Sequence, residues 1–122
     1  MTVTSEKNEK VAQMTFASVF PHYITKVEKK GRTIDELYQV IEWLTSYSPA
    51  ALKQHIDNKS SFAEFFASAT LHPNAELIKG VICGYRIEEI PNEFEVYKQV
   101  RYLDKLVDEL AKGKKLEKIM RT

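Results

Sequence analysis

Cysteine is almost absent from the sequence, because Cys83 is the only one in 122 residues. A lone cysteine excludes an intramolecular disulfide framework, so a hydrophobic core must stabilise the fold, and a chain of this length can bury one. No apolar run approaches the ~20 residues that a membrane-spanning helix requires. The first ten residues are polar, whereas a signal peptide needs an apolar stretch. We therefore expect a cytoplasmic protein without membrane association.

Glycine and proline are also scarce, with four of each. Most of them stand where helices would begin or end, and neither a repeat nor a low-complexity linker divides the chain. The length is typical of one domain. We predict a single all-α domain over residues 1–122, with five to seven helices and little or no strand.

Two capping boxes indicate helix starts, TIDE at Thr33 and SFAE at Ser61. Apolar residues follow Thr33 at helical spacing, which predicts a helix to about Thr45. Ser48 before a proline is typical of another helix start. Together these signals predict three helices in the middle of the chain.

The first third of the chain predicts two more helical segments. Thr4 or Ser5 can cap a helix through EKVAQMTFASVF. Pro21 then fits the first turn of a second segment, because its missing N–H would be unpaired there, and Gly31 ends that segment.

The segment LIKGVICGYR allows two interpretations. Helical spacing favours a helix whose face carries Gly80 and Gly84, where a second helix could pack closely. The alternation of Val81, Cys83, Tyr85 and Ile87 fits a strand instead. We predict the helix and keep the strand over residues 81–90 as the alternative.

The last long helix is predicted from about Val96 to Lys112. Its apolar stripe consists of Val100, Leu103, Val107 and Leu110. This stripe must be buried against the domain's own core or a second copy of the chain. We favour the core, and a homodimer or another protein partner through residues 96–112 is the alternative.

The net charge of +1 conceals an uneven distribution. Residues 1–33 hold six Lys/Arg against three Asp/Glu, residues 34–97 four against ten, and residues 98–122 eight against four. If the two basic ends meet in space, they would form a surface for weak, non-specific nucleic-acid binding. An ordinary mixed surface is the more frequent outcome of such a pattern.

Four stretches carry a family resemblance: MTFASVFPHYITKVEKKGRT, VIEWLT, LHPNAELIKGVICGYRIEEI and QVRYLDKLVDELAKG. They resemble the domain of unknown function 2200, a group of small uncharacterised bacterial proteins. The resemblance covers residues 1–121 and departs from the family between Ile90 and Val100. It implies a compact bacterial protein, and it implies neither an activity nor any functional residue.

The weak candidates for a catalytic site are Cys83, Arg86 and His72. A reactive thiolate needs a positive neighbour, and Arg86 lies one helical turn from Cys83. Burial of Cys83 in the core is the favoured alternative, since free cysteine is often buried. Histidines 22, 55 and 72 lack metal-ligand spacing, and no phosphate or dinucleotide motif occurs, so no metal or cofactor is expected.

These observations favour a binding or regulatory module that acts through a helical surface. The alternative is a small enzyme or ligand-binding protein with its site around Cys83, Arg86 and His72. The aromatic residues Trp43, Phe62, Phe65 and Phe66 could stack on bases, but their helical spacing beside aliphatic residues favours the core.

Overall fold

The computed structural model describes residues 3–121, which form seven α-helices and one antiparallel pair of strands. The helices are α1 (Ser5–Gln13), α2 (Phe16–Glu28), α3 (Ile34–Thr45), α4 (Pro49–Asp57), α5 (Phe62–Ala67), α6 (Glu95–Ala111) and α7 (Leu116–Ile119). The strands are β1 (Val81–Ile82) and β2 (Tyr85–Arg86), with 3₁₀ turns at residues 75–77, 87–89 and 92–94. The prediction of a mostly helical fold with little strand is confirmed. None of the helices in this range is long and apolar enough to cross a membrane.

Helix α6 is the centre of the fold, because α1, α2, α3, α5, α7 and strand β1 pack against it. Its stripe is buried in the core of the same chain, where Leu103, Leu106 and Leu110 have no exposed surface. The predicted range of this helix agrees with α6 to within a residue at each end. A homodimer through residues 96–112 stays a prediction, and it would have to use the partly exposed positions of α6.

The boundary between α1 and α2 is not at the proline that the sequence suggested. Thr15 caps α2 by accepting a hydrogen bond from the Ser18 N–H at 3.2 Å, and Pro21 lies inside the helix. An isolated antiparallel bridge pairs Thr15 with Ser61, and the chain at residues 14–15 is extended rather than helical. The predicted start at Pro21 is wrong, since a contact distant in sequence sets the break. Thr4 is the cap of α1.

The two predicted capping boxes are confirmed at Thr33 and Ser61. In each, the hydroxyl accepts from the backbone N–H three residues on, and the glutamate there accepts from the cap's own N–H. The box at Ser61 places the aromatic side chains of α5 in the core, where Phe62 and Phe65 are fully buried. The prediction that these aromatic residues lie in the core is therefore confirmed.

The segment around Cys83 is a hairpin of two short strands. The predicted helix, with Gly80 and Gly84 on a packing face, is therefore wrong. The alternative of a strand in this segment is confirmed for β1 and β2. Ile82 pairs with Tyr85, and the two residues between them have positive φ, 54° at Cys83 and 82° at Gly84. Positive φ at both central residues defines a type I′ turn, whose twist matches that of the paired strands. Cys83 is exposed at this turn, so its predicted burial is also wrong.

Candidate functional site

A partly enclosed cleft of about 240 Å³ lies on the helical surface between α1, α2 and α6. Aliphatic and aromatic side chains form most of its wall: Val11, Met14, Val19, Phe62 and Val100. Tyr23, Arg101 and Asp104 supply its polar end, and exposed His22 lies at the rim. An apolar concavity with a few convergent polar groups is the usual form of a small-molecule site.

An ion pair within α6 forms the polar end of the cleft. Arg101 Nη1 donates to Asp104 Oδ2 at 2.6 Å, and both side chains are more than four-fifths buried. The Tyr23 hydroxyl donates to Asp104 Oδ1, also at 2.6 Å. Both oxygens of the carboxylate therefore accept a strong hydrogen bond, and α2 is joined to α6 beneath the cleft.

Arg101 is held on its other side by Tyr97, one turn earlier in α6. Its Nη2 donates to the Tyr97 hydroxyl at 3.0 Å, and Cζ lies 4.6 Å from the centre of the Tyr97 ring. The guanidinium thus stacks on an aromatic face, which adds a cation–π attraction. Its Nε is buried and has no hydrogen-bond partner among the described residues.

The polar contacts continue from Tyr97 to the hairpin and α1. The ring of Tyr85, the first residue of β2, meets the Tyr97 ring edge-on at 5.5 Å. Lys7 of α1 donates to the Tyr85 hydroxyl at 2.8 Å. The network therefore links three separate parts of the chain and fixes α1 beside the cleft.

Burial and charge set the protonation of this network. Burial raises the pKa of Tyr23 well above its usual value, and the adjacent Asp104 carboxylate raises it further. Burial lowers the pKa of Arg101, but hydrogen bonds to Tyr97 and Asp104 outweigh this and raise it overall. The hydrogen bond from Lys7 lowers the pKa of Tyr85. Near neutral pH, Tyr23 is therefore a neutral donor and Arg101 a cation.

The residues proposed from sequence as a catalytic site occupy separate structural settings. Cys83 and Arg86 lie exposed on the hairpin. His72 stacks on Trp43 with ring centres 4.4 Å apart, and its Nδ1 accepts from the Asn74 N–H at 3.0 Å. In the part of the chain that the structure describes, no hydrogen bond joins any two of the three candidates. A site built from them stays a prediction.

A metal site is not evident in residues 3–121, where no three His, Cys, Asp or Glu side chains form a group that could hold an ion. A wider groove of about 380 Å³ lies on another side of α6, lined partly by Leu71, Asn92 and Lys98. Its lysine already donates to the Asn92 side chain at 3.1 Å. The smaller cleft is the stronger candidate, because its wall is more apolar and its polar end carries a buried ion pair.

Sequence reasoning did not identify Tyr23, Arg101 or Asp104 as site residues. The i,i+3 spacing of Arg101 and Asp104 and the i,i+4 spacing of Tyr97 and Arg101 were available signals. Such pairs occur on many exposed helices, so spacing alone did not indicate burial. The approach of Tyr23 depends on the packing of α2 against α6.

Comparison with known proteins identifies a family without indicating a function. Residues 10–121 match the family model described as "Uncharacterized protein conserved in bacteria (DUF2200)". The crystal structure of uncharacterized protein SP1917 is similar, with a TM-score of 0.82 and 39% sequence identity over 92% of this chain and 91% of that one. No match was found among curated proteins. The fold is therefore shared with a solved structure, and neither comparison names a ligand.

Proposed function

Because the chain belongs to the DUF2200 family of uncharacterised bacterial proteins, we propose its function from the cleft: it is a binding module that holds a small ligand on its helical surface. The observation that carries this proposal is the composition of the cleft, whose apolar wall ends at the buried ion pair of Arg101 and Asp104. We also propose a cytoplasmic location, where an exposed thiol such as that of Cys83 stays reduced.

The size and chemistry of the cleft favour binding over catalysis. Its volume of about 240 Å³ is below the ~300–1,000 Å³ typical of sites for drug-sized ligands, so the ligand must be small. Both Asp104 oxygens are engaged, and Tyr23 keeps its proton near neutral pH. The buried end of the cleft is therefore left without a free general base.

The proposal is tested by NMR titration with four ring-sized probes: toluene, acetophenone, benzoate and benzylamine. We expect at least one probe to bind saturably and to shift the resonances of residues that line the cleft. Val19→Trp should fill the cleft and abolish these shifts, whereas Leu77→Trp, at a residue that is 51% exposed elsewhere, should retain them. If no probe binds, or if Val19→Trp binds as the parent does, the cleft is not a ligand site.

A second candidate function, weak nucleic-acid binding, is favoured by the contacts of Arg32. Its Nη1 donates to the carbonyls of Leu110 at 3.2 Å and Lys114 at 2.7 Å, which brings together the basic segments at residues 26–32 and 112–115. Asp108 partly neutralises this surface, because it pairs with Lys26 and Lys112. Lys29, Lys30 and Lys115 are exposed beside it.

Fluorescence anisotropy with short oligonucleotides tests this second function. We expect weak binding at about 50 mM salt that falls steeply at about 200 mM, because phosphate contacts release counterions. Replacing Lys29, Lys30 and Lys115 with glutamate should abolish binding, and Lys79→Glu, at an exposed lysine of the acidic middle segment, should leave it unchanged. Absence of binding by the parent at the lower salt would exclude nucleic acid as the partner of this surface.

A further inference from the structure

We propose that the wider groove on α6 docks a basic peptide segment of another protein, and that this segment carries an aliphatic side chain between its cations. The groove shares no lining residue with the cleft, so the two surfaces can be tested independently. Three features support this partner: the continuity of the groove, its aliphatic floor, and carboxylates that lack an ion pair in the described chain.

The groove is continuous over two adjoining concavities of about 380 and 360 Å³. Both are lined by the same three residues, Asn92, Lys98 and Tyr102. The first also includes Leu71, and the second continues to residues 76–79. An elongated groove beside a helix offers successive positions for the side chains of a bound peptide.

Aliphatic side chains give the groove an apolar floor. Ile78 and Ile87 line it and are almost fully buried, and Leu77 beside them is 51% exposed. Contiguous apolar side chains with a polar rim are typical of protein interaction sites. An aliphatic side chain of the partner would cover Leu77 and remove its surface from water.

Carboxylates outnumber cations along the groove. Three glutamates line it: Glu76, Glu88 and Glu95. The lining lysines are Lys79 and Lys98. The ion pairs between described residues all lie elsewhere, so none of these glutamates has a cationic partner among them. Lysine or arginine of a docked segment would supply the missing partners, and such charge complementarity favours a basic segment.

Local contacts keep the groove negative. Lys98 Nζ donates to the side-chain oxygen of an asparagine at 3.1 Å instead of pairing with a carboxylate. Hydrogen bonds from its own N–H and from that of Gly80 lower the pKa of Glu88, which stays ionised at neutral pH. Burial raises the pKa of Tyr102, and the Glu76 carboxylate raises it further, so the negative charge reaches the floor of the groove.

Other occupants would match only part of this surface. A nucleic acid would bring phosphates towards carboxylates, which repel them. A small polyamine would neutralise the carboxylates but leave Leu77 exposed. A second copy of the chain could offer its own basic surface, which Asp108 partly neutralises. A basic segment with an aliphatic side chain satisfies both the charge and the apolar floor.

Fluorescence anisotropy tests the proposal with three fluorescein-labelled peptides: Gly-Lys-Leu-Lys-Leu-Lys-Gly, Gly-Glu-Leu-Glu-Leu-Glu-Gly and Gly-Lys-Ser-Lys-Ser-Lys-Gly. At about 50 mM salt, we expect the lysine–leucine peptide to bind saturably and about tenfold or more tightly than either of the others. Binding should weaken at about 200 mM salt, because added salt screens exposed charges.

Two pairs of variants assign the binding to the groove. Glu76→Lys should weaken binding of the lysine–leucine peptide about fivefold, whereas Glu42→Lys, the same charge change at an exposed residue of α3, should change it little. Leu77→Ser should abolish the preference for leucine over serine in the peptide. Val81→Ser, at a 52% exposed residue outside the groove, should retain it. Circular dichroism checks that each variant folds, and the peptide order of the parent tests the proposal without them.

Each contrary outcome is distinct. Absence of binding by the parent at the lower salt would overturn the proposal, and so would equal affinity for the serine peptide. Equal losses for Glu76→Lys and Glu42→Lys would show attraction to overall charge instead of docking in the groove. Sedimentation would identify a second copy as the occupant if the parent self-associated at low salt and Glu76→Lys did not. None of these results would bear on the cleft.

Discussion

At the scale of single residues, the hydroxyl of Tyr23 completes the polar end of the cleft. It donates to one oxygen of Asp104, and Arg101 occupies the other. The carboxylate is only 17% exposed, so water can replace little of this bonding. Because burial raises the pKa of Tyr23, the phenol keeps its proton at physiological pH and the hydrogen bond persists.

Replacing Tyr23 with phenylalanine should destabilise the protein by about 1.5–3 kcal/mol, the usual range for a hydrogen bond to a charged group. Urea unfolding measures the change. Tyr38→Phe is the matched control, since this half-buried tyrosine has no hydrogen bond through its hydroxyl among the described residues, and it should cost much less. Equal losses for the two variants would show that the contact with Asp104 does not stabilise the fold.

At the scale of secondary-structure elements, the hairpin of β1 and β2 has an unusual residue at its turn. Its two-residue turn needs positive φ at both positions, and Cys83 occupies the first of them. A residue with a Cβ is strained there by about 1–2 kcal/mol, whereas glycine is not and asparagine is tolerated.

Gly84→Ala should therefore destabilise the protein by about 1–2 kcal/mol, and Cys83→Asn should stabilise it by up to about 1 kcal/mol. In a helix, by contrast, alanine at residue 84 would stabilise the folded state relative to glycine. Urea midpoints of the two variants provide the measurement. If Gly84→Ala raised the urea midpoint, the result would contradict the hairpin and favour the helical interpretation.

Arg32 contacts the C-terminal end of α6, because it donates to the carbonyl of Leu110 in the last turn and to that of Lys114 just beyond it. It also donates twice to Glu36 Oε2, at 3.1 and 2.8 Å, so one side chain joins α3 to the end of α6. Arg32→Gln should cost about 1–3 kcal/mol, because the Leu110 and Lys114 carbonyls lose a charged donor. Lys30→Gln, at an exposed neighbour, should change the urea midpoint little. If Lys30→Gln lost as much stability as Arg32→Gln, the change in net charge would explain the effect instead.

Local signals in the sequence predicted those elements whose limits are set within a few residues. The boxes at Thr33 and Ser61 are complete within four residues, and both helices begin there. The start of α2 depends on the bridge between Thr15 and Ser61, which no local pattern reveals. Around Cys83, helical and alternating periodicity both fit a short apolar run, and only the positive φ angles distinguish them.

The cleft was less predictable than the fold for the same reason. Arg101 and Asp104 are close in sequence, but their burial depends on α1 and α2 covering that face of α6. Tyr23 is 81 residues from the carboxylate that it contacts. The sequence supplied the chemical groups, and only the packing of separate helices brought them together.

At the scale of the whole molecule, stability depends on pH through four carboxylates whose pKa is lowered, Glu36, Glu64, Glu88 and Asp108. The Arg32 guanidinium lowers the pKa of Glu36, and the Ser61 backbone N–H lowers that of Glu64. Burial raises the pKa of Asp108, but hydrogen bonds from Lys112 and Lys26 outweigh this and lower it overall. Because these pKa values are lower in the folded state, each group stabilises the fold above its ordinary value of 4.5 or 3.8.

The free energy of unfolding should therefore be nearly constant from about pH 7 to about pH 5.5 and decrease as the pH falls towards about 3. Urea unfolding at a series of pH values measures this. Glu36→Gln should reduce the slope in the acid range, because the variant cannot titrate at that position. Glu93→Gln, at an exposed residue, serves as the control and should retain the slope. An unchanged slope in Glu36→Gln would show that this cap does not contribute to acid sensitivity.

The late position of α6 in the chain has a consequence for synthesis. Translation proceeds from the N-terminus at about 5–20 residues per second, so α1 to α5 and the hairpin leave the ribosome seconds before α6 is complete. Until then, Phe16, Leu37 and Phe62 lack the helix that covers them in the native core. The nascent chain thus passes through an interval in which its apolar faces are open to chaperones or to other chains, and this interval ends only when residues 95–111 emerge.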